Sequence, residues 1–397
     1  MQKKLIALAV AGLASTGAFA QSNVTVYGTA DVSFDVVRAS NVANGYDLGN
    51  TNRVSSNSSH IGFKGAEALG NGLTALFQIE SGVNFDTGNA SNTFASRDTF
   101  AGLSSTSLGT VVFGKLTGPT RAMGGMLDVN AGSTGIGANA GIIGKLGNNL
   151  LSAGSNGSGP NIGGAACATR SAVCTSVFDD RWTNAVAYVS PTFAGLNATV
   201  AYVANENKSY HGAATSANAT GYDLGLKYAN GPIMAGVTYN ALSLGNSNAT
   251  DVNNFRLGGM YDFGMATVRV LFDRTRGDHM AGVGTLTQNV FGLGGTFNVT
   301  PAGKIIGQVY VARDLKANGS SQNDTGAKLF EVGYVHSLSK RTSVRAVYAH
   351  LNNDSNANYD YGIGAVGVSG FTTTPASAAN GLNATLNGVQ LGLRHSF

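Results

Sequence analysis

Residues 24–36 read VTVYGTADVSFDV, and in them Val24, Val26, Gly28, Ala30, Val32, Phe34 and Val36 alternate strictly with Thr25, Tyr27, Thr29, Asp31, Ser33 and Asp35. A period of two puts the sets on opposite faces of an extended strand, so one face meets an apolar medium and the other a polar one. The pattern recurs down the chain. Ile61/Phe63, Leu73/Ala75/Phe77/Ile79, Val111/Phe113, Leu196/Ala198/Val200/Tyr202, Tyr222/Leu224/Leu226/Tyr228 and Val389/Leu391/Leu393/Phe397 are clear repeats, and with a weaker strand near residues 97–103 the chain is predicted to hold sixteen strands.

The connections alternate too. Short turns such as Leu69-Gly70-Asn71-Gly72, Asn230-Gly231-Pro232 and Asp262-Phe263-Gly264 take turns with longer polar loops at about 37–58, 81–96, 116–180, 204–221, 240–253, 274–288, 313–327 and 351–387. An even number of antiparallel strands with short turns at one end and long loops at the other is the layout of a transmembrane outer-membrane β-barrel. A soluble sandwich would alternate as well, but has no reason to sort its connections by length. Aromatic positions agree: Tyr188, Tyr228, Tyr261, Tyr334 and Phe397 fall at one end of the outward faces, and Tyr202, Tyr239 and Tyr348 at the other. Two aromatic girdles flanking an apolar band are what two membrane–water interfaces select.

Composition excludes other classes. The 56 glycines in 397 residues follow no third-position repeat, and with only 6 prolines they stay short of a low-complexity chain. Charged residues are only 12%, as expected where an outward face excludes charge. Met1–Ala20 has Lys3 and Lys4, an apolar stretch from Leu5 to Leu13 and an Ala18-Phe19-Ala20 cleavage site, the layout of a signal peptide, so the mature barrel is predicted to span residues 21–397. Without those two lysines the net charge of +4 falls to about +2, too weak for a nucleic-acid footprint.

Around eight strands fill their own interior, whereas sixteen leave an aqueous channel. The inward positions Thr74, Gln78, Glu80, Thr183, Lys227, Arg256, Arg269, Glu331, Gln390 and Arg394 are accordingly expected to line water. The third long loop, about 116–180, either folds into the lumen and narrows it or stays outside as decoration; we favour the first, with residues 117–130 doing the narrowing. By parity His60, Arg97 and Arg181 face the lumen from alternate strands at similar height, opposite a loop that carries Arg121 and Asp128. Cations facing Asp128 would set a transverse field that selects by charge, or would pair with loop carboxylates for structural reasons alone. Lys64 and Glu80, on the same inward faces, complete the candidate constriction.

Cys167 and Cys174, the only cysteines, lie in the third loop and are read as a disulfide in an exported chain. No histidine pair has zinc-ligand spacing, so no metal or other cofactor is expected. Nor do the six histidines stand with a nucleophile and an orienting group, so no enzyme is expected.

The stretches VTVYGTAD (24–31), IGFKGAEALGNGLTALFQIESG (61–82), AGLSSTSLGTVVFGK (101–115), NAVAYVSPTFAG (184–195), SLSKRT (337–342) and the ending GLRHSF (392–397) resemble the general diffusion porins of Gram-negative bacteria, specifically the trimeric β-proteobacterial type. That resemblance implies a homotrimer among outer-membrane lipid and lipopolysaccharide, passive diffusion of small hydrophilic solutes and ions, and an inward-folded third loop. It also implies a C-terminal aromatic read by the barrel-assembly machinery, a position that Phe397 fills. Such porins face the third loop with a basic wall cluster; Arg97 and Arg181 look like two of its members, while His60 and Lys115 stand where relatives often carry Arg. Mild or no anion preference is therefore expected, with a pore charge that changes near neutral pH. The alternative, a substrate-specific channel, would need an aromatic slide or paired ligands in the lumen, for which Tyr27 is a scattered candidate.

Overall fold

The computed structural model describes residues 23–43, 47–88, 94–146, 178–179, 181–204, 220–243, 251–280, 284–363, 366 and 382–397. One antiparallel sheet closes on itself. Its strands are β1 (Asn23–Ser40), β2 (Leu48–Ser56 continued by His60–Gly70), β3 (Leu73–Gly82), β4 (Thr99–Ser105), β5 (Gly109–Thr117), β6 (Arg181–Val189), β7 (Leu196–Val203) and β8 (Thr220–Asn230). The second half adds β9 (Ile233–Ser243), β10 (Asp251–Asp262), β11 (Ala266–Met280), β12 (Gly284–Asn298), β13 (Gly303–Ala312), β14 (Ala327–Ser337), β15 (Thr342–Asn353) and β16 (Thr385–Ser396). The expected sixteen are present. Closure runs from Thr29↔Ser396 to Ser40↔Thr385, and Gly28 and Phe397 add a reciprocal backbone pair of 3.1 and 3.2 Å.

The outward faces are apolar and bare. Val24, Leu257, Val270, Leu293 and Leu391 are all about half exposed, which water would punish and hydrocarbon would not. Tyr188, Tyr261 and Tyr334 at one rim and Tyr239 and Tyr348 at the other are likewise exposed, and Tyr202 meets Tyr222 with ring centroids 5.3 Å apart.

Three of the expected long loops continue strand pairing in their described parts. Pairing continues to Ser40 and resumes at Leu48, continues to Ser243 opposite Asp251, and carries β11 and β12 to Met280↔Gly284. Beyond the lipid both faces meet water, so the alternation that marks a strand in sequence fades while backbone pairing costs no less to abandon. In the connection after β13, Lys316–Ala317 and Ser320–Ser321 form a small hairpin.

The core lies inside the barrel. Met123, Leu127, Ile136, Ile142 and Ile143 of the third loop, together with Tyr359 and Tyr361 of the last loop, pack on inward Leu271, Tyr310, Leu329, Leu351 and Leu386. This corrects the expectation of a uniformly wet lumen: Arg256 and Glu331 are 0% exposed and Gln390 1%, because loop residues cover them. Uninterrupted apolar triplets such as Val270-Leu271-Phe272 and Val309-Tyr310-Val311 were the signal in the sequence that both faces were dry there.

Candidate permeation site

The third loop is fixed to one side of the barrel. It opens with helix α1 (Pro119–Leu127), whose proline suits a first turn that needs no N–H bond there. Thr120 donates its hydroxyl (2.6 Å) and N–H (3.2 Å) to Asp223, which also accepts the Trp182 Nε1–H at 3.1 Å. A Cβ at Gly118 would run into the Asp223 carboxylate, and one at Gly225 into the Pro119 ring, so both glycines let helix and wall touch. Further on, Arg256 bridges Asp273 (2.7 Å) and Asp179 (3.1 Å) and donates to the Thr120 carbonyl (2.8 Å), while Gly144 N–H reaches Asp273 at 2.9 Å. Lys145 is buried and donates to the Gly141 carbonyl at 2.8 Å. Burial pushes its amine down to about 8, against the pull of Asp360 and Asp179.

Asp128 does not face the lumen. It is 4% exposed and accepts from the N–H groups of Asn139 (2.7 Å) and Asn130 (2.8 Å), from Ser133 (3.0 Å) and from Gln308 (3.1 Å). Burial raises its carboxyl above the usual range although every one of those bonds opposes the rise. The expected transverse field between the wall cations and Asp128 is thereby overturned: the loop uses this carboxylate to tie its own turn and to dock on β13. Arg121, half-buried, and Met126, 38% exposed, are on the same helix.

The described part of the loop lies along β7–β11 through α1, then touches Gln308, Glu331, Gln390, Arg394 and Asp31, which carries it round to β16 and β1. Among the described residues, that leaves the inward faces of β2–β4 as the open wall, while inward Val112 and Leu116 of β5 and Ala185 and Ala187 of β6 are buried. There the structure assembles the cation set. A break at residues 57–59, where Ser58 has φ 57° and Ser59 Oγ accepts from the Asp31 N–H, starts the lower half of β2 at His60. His60 Nδ1 lies 3.0 Å from the Ser58 carbonyl oxygen and its Nε2 3.9 Å from Glu80. Glu80 also pairs with the Arg97 guanidinium and accepts the Tyr27 hydroxyl at 3.0 Å. Exposed Lys64 places its ammonium 5.1 Å from the Tyr27 ring centre.

Arg181 pairs with Asp98 at 2.7 Å, and Asp98 accepts from the Thr117 N–H (2.6 Å) and hydroxyl (3.0 Å). Phe100 and Gly102 face inward on β4, so alternation puts Asp98 inward too and Arg97 outward; Arg97 reaches Glu80 because residues 97–98 form a bend before β4, where parity no longer holds. Burial works against the Asp98 charge, but Arg181 and the Thr117 bonds outweigh it and hold the carboxyl below its ordinary value. So Arg97 and Arg181 find carboxylates on their own wall. Sequence reasoning also passed over Arg345, which shares buried Asp31 with Arg394 at 2.7 and 2.9 Å. Its position between outward Val344 and Ala346 was the available signal. Cys167 and Cys174 lie outside the described residues, and the Phe397 ring is 48% exposed on the outer surface.

Comparison with known proteins follows this geometry. The Gram-negative porin family pattern matches residues 7–357. Outer membrane porin protein 32 of Delftia acidovorans is 31% identical over 404 residues, covering 100% of both chains. An outer membrane porin protein of Bordetella pertussis is 27% identical over 401 residues, 89% of this chain and 95% of that protein. Among solved structures, an anion-selective porin from Comamonas acidovorans superposes with a TM-score of 0.74 at 27% identity, over 95% of this chain and 100% of that one. A trimer form of OmpT from Vibrio cholerae, with a TM-score of 0.62 at 15% identity over 95% of this chain and 99% of that one, shares the fold.

Proposed function

We infer the mode of permeation from one premise: this chain belongs to the Gram-negative porin family and is an outer-membrane channel. Small hydrophilic solutes and ions diffuse passively through its lumen, along the open wall that begins at β2–β4, with a mild preference for anions. The observation that carries the preference is local. Three permanent cations, Lys64, Arg97 and Arg181, stand on that wall against two carboxylates, Glu80 and Asp98, so the permeant meets a net positive surface even with His60 neutral. Arg121 on the loop side adds to it. The anion selectivity named for the Comamonas structure supports the same sign.

The working unit in this reading is a homotrimer in lipid and lipopolysaccharide. Residues 1–20 are removed on export, Cys167 and Cys174 close a disulfide in the third loop, and Phe397 is the mark recognised by the barrel-assembly machinery. No residue does chemistry; width and field do the work. Planar-bilayer recording tests this directly. Conductance is expected in steps grouped in threes, and a potassium chloride gradient is expected to give a zero-current potential of the sign set by chloride. A potential of zero or of cation sign would overturn the preference, and silent membranes would overturn the channel.

A further inference from the structure

Below the arginines the open wall changes character. The strand register sets Ala66, Leu76, Gly102, Val112, Ala187 and Ala201 side by side across β2 to β7, all on the inward face and none with a polar side-chain atom. One step above, Lys64 lies opposite Gln78, which lies opposite Phe100. Leu76 and Phe100 pack against Val112, Ala185 and their neighbours yet stay partly exposed. Val112, Ala187 and Ala201 of that first row are buried, so the apolar surface open to the lumen is Ala66 and Leu76 with Phe100 beside them; a water-filled conduit for hydrophilic solutes does not need it, since a solute crossing it finds no side chain to bond.

Charge and apolar surface are adjacent. Lys64 is in the same cross-strand row as Phe100, and the Arg97–Glu80 pair lies one step higher on the neighbouring strand positions, with Arg181 beyond it on β6. On the loop side Met126, 38% exposed, presents a further apolar side chain. A solute matching both features carries a carboxylate on an apolar body. Its charge meets the cations while its body covers surface that water solvates poorly.

We propose that partly exposed Leu76 and Phe100, beside Lys64 and below Arg97, form a binding station for organic anions that join a carboxylate to an apolar body, arenecarboxylates above all. This rests on the anion-preferring channel described above and adds a solute class to it. The carboxylate is held at the Lys64 ammonium and the Arg97 edge, and the ring lies on Leu76 and Phe100. Transit is slowed there, so such a solute competes with chloride for the pore.

The test adds sodium benzoate, cyclohexanecarboxylate or acetate to the wild-type channel in a planar bilayer while chloride current is recorded. Benzoate and cyclohexanecarboxylate are expected to depress the chloride current at about tenfold lower concentration than acetate, the ratio that partial burial of one ring supports. Phe100→Ser and Leu76→Thr channels should keep their chloride conductance and lose most of that ratio. Equal potency of benzoate and acetate on the wild-type channel, a comparison that needs no variant, would overturn the proposal. So would variants that conduct and still discriminate. Absence of any chloride current would instead remove the channel reading beneath it.

Discussion

Arg256 and Arg97 are both inward arginines paired with carboxylates, yet they stand in different solvents. Arg256 is fully buried under the third loop between Asp179 and Asp273, whereas the side chain of Arg97 is 20% exposed at the edge of the open lumen beside Glu80. The covered wall spends its charges on holding a loop; the open wall leaves its charges where a permeant can feel them. Low dielectric makes the first set strong and costly to break, and water makes the second set weak and easily re-paired.

That contrast can be broken by mutation. The largest effect is expected from Arg256→Ala, which strands two buried carboxylates and should remove about 3–5 kcal/mol from the loop's anchorage. Single-channel conductance should rise and become noisy, and the loop should become open to protease; an unchanged quiet channel would show that the loop is held by its apolar contacts alone. A smaller effect is expected on the open wall. Arg97→Ala frees Glu80 and should turn the zero-current potential toward cations, while Glu80→Gln should turn it further toward anions with little loss of thermal stability. Equal shifts in the same direction would refute the assignment of this pair to selectivity.

A pH dependence is also expected on the covered side. Burial pushes the Lys145 amine down to about 8 in the folded protein, against the 10.5 of an ordinary lysine, so the folded state gives up its proton first. Stability therefore rises as pH goes from about 8 to 10.5 and is flat below, where both states are protonated. Lys145→Met should abolish that rise in a thermal-denaturation series. Persistence of the slope in the variant would assign it elsewhere.

Much of the barrel was legible in the chain. Val24 to Val36 alternate because lipid is a uniform solvent that scores every outward residue alike, and sorted turn and loop lengths supplied the topology. The same logic put Lys64 and Glu80 on the inward face. It failed where its premise failed. Residues 240–243 and 251–253 lost alternation above the lipid without losing pairing, and the bend at residues 97–98 put Arg97 out of phase with β4.

What the sequence determined by itself was the outer surface, the strand count and the parity of side chains within unbroken strands, since all three follow from a period of two and one apolar solvent. What only the tertiary structure decided was the inner surface. Arg256 and Arg97 carry the same pattern in sequence because a polar inward face is written the same way whether water or a folded loop covers it. Asp128 likewise became a buried anchor rather than a pore charge once Asn130, Ser133, Asn139 and Gln308 were brought round it, residues up to 180 positions away.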